Sequence, residues 1–385
     1  MALLISKSVD FVQGIYFPDE PVTGHIKFNL REKTIVSNIT VNIVGERAIF
    51  KSSSTDGSRN SKGERRPNQD GKAVKELKLI DLKECIFSGS PGRFMDAGSH
   101  SVPFSVRLPG SIPSSVESPQ WAVHYKLVAT VMGASDLLET FERTFCVNRI
   151  CDLNIHPKAK MPITASVTAS KCPCISWDMV TASLQLDRQG FIPGEQICVN
   201  AFIENQSRRQ IYYTKVSLVQ KMCHVDVFAD SQKLKCKRLV TDYQRGSIPV
   251  GTTQVWMDEM ITVPPVPPSS IHDCYGWSIQ YWIQMDVVNV APKIVATLRI
   301  PVFIGNIPLK SLYPHLKMPS PGSLNMDFFQ ANWEFFSEEE CTFSHKTGDE
   351  TASVTTPKYF VLRPVSNGDC KEIESLPAND GSPKA

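Results

Sequence analysis

The sequence predicts an all-β protein of two tandem antiparallel β-sandwiches, followed by a partly disordered C-terminal tail. Three observations support this fold class. Polar and apolar residues alternate with a period of two in many short segments. No stretch of about 12 residues has a convincing helical period of 3.6 residues. Finally, 27 Pro and 21 Gly punctuate the 385 residues, roughly one in every eight, which is the turn spacing of a sandwich.

Individual strands follow from the alternation. Residues 25–28, 40–44 and 124–129 each place polar and apolar side chains on opposite faces, and clusters of Gly, Pro or Ser bound them. Such segments are typical of strands with one buried and one solvated face.

An internal repeat divides the chain into domains. Residues 16–22, Tyr-Phe-Pro-Asp-Glu-Pro-Val, reappear at 191–197 as Phe-Ile-Pro-Gly-Glu-Gln-Ile. Likewise, Ile-Pro-Ser-Ser at 112–115 matches Pro-Pro-Ser-Ser at 267–270, and each copy leads to a Tyr-centred strand. Two homologous domains are therefore expected, with Tyr125 and Tyr281 at equivalent core positions. We place the first sandwich at 1–150, a connector at 151–174, the second sandwich at 175–310 and a flexible tail at 311–385.

Charge and cysteine content limit the class of protein. The 41 Lys+Arg against 39 Asp+Glu give a net charge of +2, which offers no footprint for nucleic acid. No apolar run approaches the roughly 20 residues that span a bilayer, and the opening apolar segment is too short for a signal peptide. The odd number of cysteines, 11, argues against a disulfide framework. A cytoplasmic protein is expected.

Motifs of catalysis and of metal binding are missing from the sequence. It has no Gly-x-Ser-x-Gly, Gly-x-Gly-x-x-Gly, P-loop or His-Glu-x-x-His motif, so we expect no enzyme and no cofactor. The densest group of metal-binding residue types is Cys151, Cys172 and Cys174 near His156. A lone Cys-x-Cys lacks the paired spacing of a zinc site, which favours ordinary thiols of the connector.

One charge pattern suggests a binding surface. Lys233, Lys235 and Lys237 are two residues apart, so on a strand their side chains would share one face. This face is either an ordinary solvated surface that protects an edge strand or a site for phospholipid head groups and acidic cargo tails.

The repeats and the strand that ends the second copy carry a family resemblance. Residues 16–24, residues 190–195 followed by Glu204 and Asn205, and residues 300–309 together resemble arrestin domain-containing proteins of the α-arrestin group, over roughly residues 5–310. The resemblance implies a fold of two sandwiches. It also implies a cytosolic adaptor, peripheral at the plasma membrane or endosomes, that couples the cytoplasmic tails of membrane proteins to ubiquitin ligases and sorting machinery.

The tail departs from this family. Most α-arrestins recruit WW-domain ubiquitin ligases through Pro-Pro-x-Tyr, which is absent here. The segment Thr356-Pro357-Lys358-Tyr359 retains the second Pro and the Tyr but has Thr in place of the first Pro. It is either a solvated tail segment or a weakened WW ligand, so ligase recruitment is expected to be weak or indirect.

Two other classes remain open at the level of sequence. A retromer-type coat subunit shares the arrestin fold but works inside an obligate complex. An extracellular adhesion module of tandem sandwiches would require a signal peptide and paired cysteines.

Overall fold

The computed structural model describes residues 4–50, 73–117, 121–134, 137–170, 178–225, 233–270, 277–289, 293–314, 316, 333–337 and 357–362. Within these ranges the regular structure consists of β-strands and two single-turn 3-10 helices. The predicted all-β class is therefore confirmed.

The first sandwich packs a three-stranded sheet against a larger sheet. Its strands are β1 (Leu4–Phe11), β2 (Ile15–Tyr16), β3 (Pro21–Leu30), β4 (Thr34–Phe50), β5 (Ala73–Met95), β6 (Gly98–Arg107), β7 (Val116–Glu117), β8 (Trp121–Met132) and β9 (Leu137–Val147). The sheet orders are β1-β3-β6 and β2-β9-β8-β4-β5, with β7 paired to β8. Every pair is antiparallel except β2 with β9.

The second sandwich repeats this plan. After 3-10 helices at Leu153–Ile155 and Pro157–Lys160 come β10 (Ile163–Ser170), β11 (Met179–Leu186), β12 (Gly190–Phe191), β13 (Gln196–Asn205), β14 (Ile211–Val225), β15 (Lys233–Arg245), β16 (Thr252–Thr262), β17 (Trp277–Asn289) and β18 (Ile294–Ile304). Its sheets have the orders β10-β11-β13-β16 and β12-β18-β17-β14-β15.

Alternating burial explains why these segments are strands. In β3 the apolar residues Val22, Ile26, Phe28 and Leu30 are buried while their neighbours are partly or fully exposed, and β13 has nearly the same pattern. Each large aliphatic side chain that is removed from water contributes about 1.5–3 kcal/mol to folding. The two-residue period therefore fixes which face of each strand meets the core.

The connector between the sandwiches contains an ordered strand that the sequence analysis did not assign. β10 pairs with β11 in antiparallel register from Ile163 opposite Leu186 to Ser170 opposite Met179. Its side chains alternate between half-buried and exposed along the whole strand. β10 is therefore the edge strand of a sheet in the second sandwich.

Strands also occur in the tail, where a flexible segment was predicted. β19 (Trp333–Ser337) and β20 (Lys358–Leu362) form an antiparallel pair. At least these two segments of the tail have regular structure.

The predicted repeat turn is found in both domains. Tyr16 of β2 pairs with Val147, and Phe191 of β12 pairs with Ile304, both in parallel. Three residues after each of these aromatic residues, Asp19 and Gly194 have positive φ angles of 68° and 93°. The repeat therefore conserves a left-handed turn position as well as residue types.

The two tyrosines also occupy equivalent positions, as predicted. Tyr125 and Tyr281 are buried, and their hydroxyls donate to the carbonyl oxygens of Pro113 (2.7 Å) and Pro267 (2.6 Å). The sequence match had paired Pro113 with Pro268. In the structure Pro113 is equivalent to Pro267, one residue earlier. The hydrogen bond from the buried tyrosine, rather than the Pro-Ser-Ser sequence, identifies the equivalent proline of each turn.

Candidate functional site

The end of the first sandwich forms a small site, which we call the tail slot and define by Ser115, Cys146 and Asn148. Ser115 donates its N–H to the carbonyl oxygen of Val147 (2.7 Å), and its hydroxyl accepts from the N–H of Val147 (2.9 Å). The N–H of Asn148 donates to the carbonyl oxygen of Tyr16 (2.9 Å). These bonds leave the Ser115 carbonyl and the Asn148 side chain as the polar groups that meet the tail.

Residues of the tail fill this slot. The Tyr359 side chain is buried, with 2% exposure, and its hydroxyl donates to the carbonyl oxygen of Ser115 (3.1 Å). The Asn148 side-chain amide donates to the carbonyl oxygen of Lys358 (2.9 Å). Pro357 is buried and the Lys358 side chain is exposed. The alternation expected of a strand therefore turns Pro357 and Tyr359 toward the first sandwich.

A thiol lies beneath this part of the tail. Cys146 is buried, and burial raises the pKa of its thiol, against a smaller opposing effect of a hydrogen bond with the backbone of Lys358. Burial therefore shields the thiol and favours its neutral form while the tail is docked.

The second sandwich has the same position, but a different segment fills it. Gly305 donates its N–H to Phe191 (2.8 Å), as Asn148 does to Tyr16. A Cβ atom on Gly305 would lie 2.7 Å from the carbonyl oxygen of Cys151 and 2.6 Å from Cγ of Leu153. The connector therefore occupies the space into which the Asn148 side chain points in the first sandwich.

Hydrogen bonds hold the connector there. The Asn306 side chain accepts from the N–H of Cys151 (2.8 Å) and donates to the carbonyl oxygen of Arg149 (2.8 Å). The Asn154 side chain donates to the carbonyl oxygen of Pro308 (2.8 Å). Burial raises the pKa of the Cys151 thiol to about 12. The connector is therefore packed against the end of the second sandwich by several hydrogen bonds.

A buried ion pair distinguishes the second repeat turn from the first. Arg188 donates to the Glu195 carboxylate (3.0 Å), and the hydroxyl of Tyr313 donates to its other oxygen (2.7 Å). In the first turn Glu20 accepts from the N–H of Phe17 (3.1 Å), and burial raises the pKa of the Glu20 carboxyl.

The predicted lysine surface lies on the second sandwich. All three lysines belong to β15, the edge strand of its sheet, so the predicted strand is present. The ammonium of Lys237 donates to the Gln284 side chain (3.1 Å) and lies 5.6 Å from the centre of the Trp282 ring. The side chains of Lys233 and Lys235 lie outside the described residues. Binding of lipid or acidic cargo stays a prediction.

The tail residues that were predicted to bind partners have different outcomes. Pro357 and Tyr359 lie together in the tail slot, whereas Thr356 falls outside the described residues. Because the Tyr359 ring is buried, a WW domain could engage it only after the tail leaves the slot. The sequence did not predict a role for Asn148, whose side chain holds the tail. The available signal was that an asparagine stands where the second repeat has Gly305.

The described residues contain neither a candidate metal site nor a candidate membrane-spanning helix. Across the described ranges, no group of three or more His, Cys, Asp and Glu side chains is placed to hold a metal ion. In the same part of the chain, no helix has the length and apolar character needed to cross a membrane.

Two sandwiches of this topology, each opening with the same turn, define an arrestin-type two-domain protein. The family model described as Arrestin (or S-antigen), N-terminal domain, matches residues 6–154, and the model for the Arrestin (or S-antigen), C-terminal domain, matches residues 177–309. The chain belongs to the arrestin family, in the α-arrestin group of arrestin domain-containing proteins, which are adaptors.

Three of its relatives align with 78–83% of the chain. The chain is 28% identical to arrestin domain-containing protein 17 of Caenorhabditis elegans over 312 residues, which is 78% of this chain and 70% of that protein. It is 25% identical to human arrestin domain-containing protein 1 over 326 residues, covering 83% and 69%. It is 23% identical to mouse arrestin domain-containing protein 4 over 303 residues, covering 78% and 70%.

Proposed function

We propose that this chain is a non-catalytic cytosolic adaptor that links cytoplasmic tails of membrane proteins to ubiquitination and to endocytic or endosomal sorting. The observation that carries the proposal is the family match across both sandwiches. Rigid sandwiches offer wide surfaces and sheet edges that can bind extended peptides by strand addition.

The tail supplies the proposed link to ubiquitin ligases. Thr356-Pro357-Lys358-Tyr359 keeps the proline and tyrosine that fit the aromatic groove of a WW domain. Loss of the first proline lowers the expected affinity, so recruitment is weak or passes through a partner. A peptide of residues 354–361 titrated against a panel of WW domains tests this. Low-micromolar binding that Tyr359→Ala abolishes would contradict weak recruitment.

The lysine strand supplies a proposed contact with the membrane. β15 is an edge strand with three lysines at alternate positions, and each lysine near an anionic leaflet adds about 1 kcal/mol to binding. Replacing Lys233, Lys235 and Lys237 together with Gln should weaken binding to anionic vesicles and flatten its salt dependence. Unchanged binding to anionic vesicles would show that the three lysines form an ordinary solvated surface.

Proximity labelling with the full chain in cells tests the adaptor function itself. The chain should enrich membrane proteins with cytoplasmic tails and components of sorting machinery over a cytosolic control. A matched variant, Thr356→Pro, creates Pro-Pro-x-Tyr and should add WW-domain ligases to the labelled set. Recovery of a fixed, stoichiometric set of coat subunits would instead favour the retromer-type alternative.

A further inference from the structure

We propose that the tail slot is a peptide-binding site for an extended segment with a proline two residues before an unphosphorylated tyrosine. Its occupant in this structure is residues 357–359 of the chain itself. The site is distinct from the lysine strand, and the proposal rests on the proposed function only where it concerns WW domains.

The first argument is that the slot has a built-in polar group for its ligand. Asn148 is 1% exposed, and its side-chain amide donates to the carbonyl oxygen of Lys358. Its side-chain oxygen has no partner among the described residues. A buried amide is costly unless it is hydrogen-bonded, so the docked tail satisfies the donor half of this group.

The second argument comes from the second sandwich. The equivalent position there is Gly305, and the space of a side chain is taken by Cys151 and Leu153 of the connector. The first sandwich therefore has an asparagine where the second has a glycine packed against the connector. Because a segment distant in sequence covers Asn148, a peptide ligand could take the place of that segment.

The third argument concerns selectivity. The tyrosine hydroxyl donates to a backbone carbonyl, that of Ser115, and the ring is buried. A phosphate ester has no such donor in its dianionic form, and it would bring negative charge against a carbonyl oxygen in a buried place. The slot should accept tyrosine and reject phosphotyrosine.

The position of the slot also sets a competition. The same Tyr359 ring cannot fill the slot and the groove of a WW domain at once. If the proposed function holds, docking withholds the segment from a ligase and lowers its apparent affinity by the fraction of chain that is undocked.

The test is alkylation of Cys146 by N-ethylmaleimide in the native full-length chain, measured by mass spectrometry of tryptic peptides. Cys146 lies under Lys358, so release of the tail should expose it. We expect Tyr359→Ala and Asn148→Ala to speed its modification by about tenfold or more, the factor that 1.4 kcal/mol of lost docking produces. Lys83→Ala, the same substitution at an exposed lysine of β5 outside the slot, is the control and should leave the rate unchanged.

Two thiols serve as internal references. Cys151 is buried under other contacts and Cys85 is exposed, and both should keep their wild-type rates. If Asn148→Ala also speeds Cys151, it has disturbed the fold, and Tyr359→Ala, which leaves the sandwich intact, decides the question. A wild-type rate of Cys146 in Tyr359→Ala would overturn the proposal.

A second arm tests the ligand chemistry on the full-length Tyr359→Ala chain, whose slot is empty. An added peptide of residues 354–364 should protect Cys146 again, and the same peptide phosphorylated at Tyr359 should not. Equal protection by both peptides would overturn the selectivity, and protection by neither would overturn the binding site. Because no ligase takes part, failure of WW binding would leave these results intact.

Discussion

In each sandwich, the residue directly after the last strand is covered by a segment from outside that sandwich. In the second sandwich the position is Gly305, and the connector lies against it through Cys151 and Leu153. In the first sandwich the position is Asn148, and the tail lies against it through Lys358. The equivalent positions of the two sandwiches are therefore covered by different segments, the connector in one and the tail in the other.

The two covers differ in how they are held. The connector has backbone and side-chain bonds to residues 306–310, and Leu153 belongs to a small core with Ala159, Ile192 and Leu309. Among the described residues, the tail contacts the first sandwich through the buried Tyr359 and Pro357 and through hydrogen bonds with Ser115 and Asn148. Local opening needs little free energy where few buried contacts are lost, so the tail should open first.

The largest expected effect tests whether the sandwiches are equivalent in their cores. Tyr125→Ala and Tyr281→Ala should each cost about 3–5 kcal/mol of unfolding free energy, because a buried aromatic ring is lost. Tyr125→Phe removes the hydrogen bond to the Pro113 carbonyl and should cost about 1 kcal/mol. Tyr281→Phe removes the bond to the Pro267 carbonyl and also the bond that the hydroxyl accepts from the Gln220 side chain, so it should cost more. Urea titration measures all four. A cost below about 1 kcal/mol for either Ala variant would break the equivalence.

The next prediction concerns the filled position of the second sandwich. Gly305→Ala should cost about 1–3 kcal/mol, because the added Cβ meets the Cys151 carbonyl and the Leu153 side chain. Gly14→Ala is the matched control, since a Cβ there has no neighbour within 4 Å. Equal midpoints in thermal unfolding for both variants would mean that the connector is not packed against Gly305.

The repeat-turn glutamates should respond differently to neutralisation. Glu195→Gln should cost about 1–3 kcal/mol, since Arg188 loses its buried carboxylate partner. Glu20→Gln should not destabilise the chain at neutral pH, because the amide oxygen can still accept from Phe17 and the buried charge is removed.

The same pair gives a pH dependence with a definite sign. Burial raises the pKa of the Glu20 carboxyl, so the folded chain binds the proton at a higher pH than the unfolded chain. The contribution of Glu20 to the free energy of unfolding therefore falls as the pH rises from the pKa of this carboxyl in the unfolded chain through its higher pKa in the folded chain. Glu20→Gln should remove this loss in urea titrations across that window, and an unchanged pH profile would contradict the assignment.

The smallest effect concerns the left-handed turn position. Gly194→Ala should cost about 1 kcal/mol, because its φ of 93° is unfavourable for a residue with a Cβ atom. Asp19→Gly should change stability by less than about 0.5 kcal/mol, since relief of strain at a φ of 68° is offset by the greater freedom of glycine in the unfolded chain. A stabilised Gly194→Ala in differential scanning calorimetry would exclude the shared turn geometry.

Local patterns made the architecture predictable. Strand alternation, Gly and Pro spacing and the repeated turn each act over a few residues, and all pointed to tandem sandwiches. β10 was within reach as well, because Ile163, Ala165, Val167 and Ala169 alternate with polar residues. The surrounding prolines and cysteines, however, are typical of a connector and mask this alternation.

The tail slot could not be predicted in the same way. The bond from Asn148 to Lys358 joins residues 210 positions apart, and that from Tyr359 to Ser115 spans 244. No local periodicity encodes such contacts, and the tail segment also fits a solvated WW ligand. Its docking depends on the shape of the folded first sandwich.

Native-state thiol labelling of the wild-type chain across low urea concentrations tests the contrast between the two covers most directly. Opening of the tail exposes little surface, so the labelling rate of Cys146 should be faster than that of Cys151 and nearly independent of urea. Cys151 should be labelled only through global unfolding, with a rate that rises steeply with urea. Equal rates with the same steep urea dependence at both thiols would contradict a removable tail, because both covers would then open only when the domains unfold.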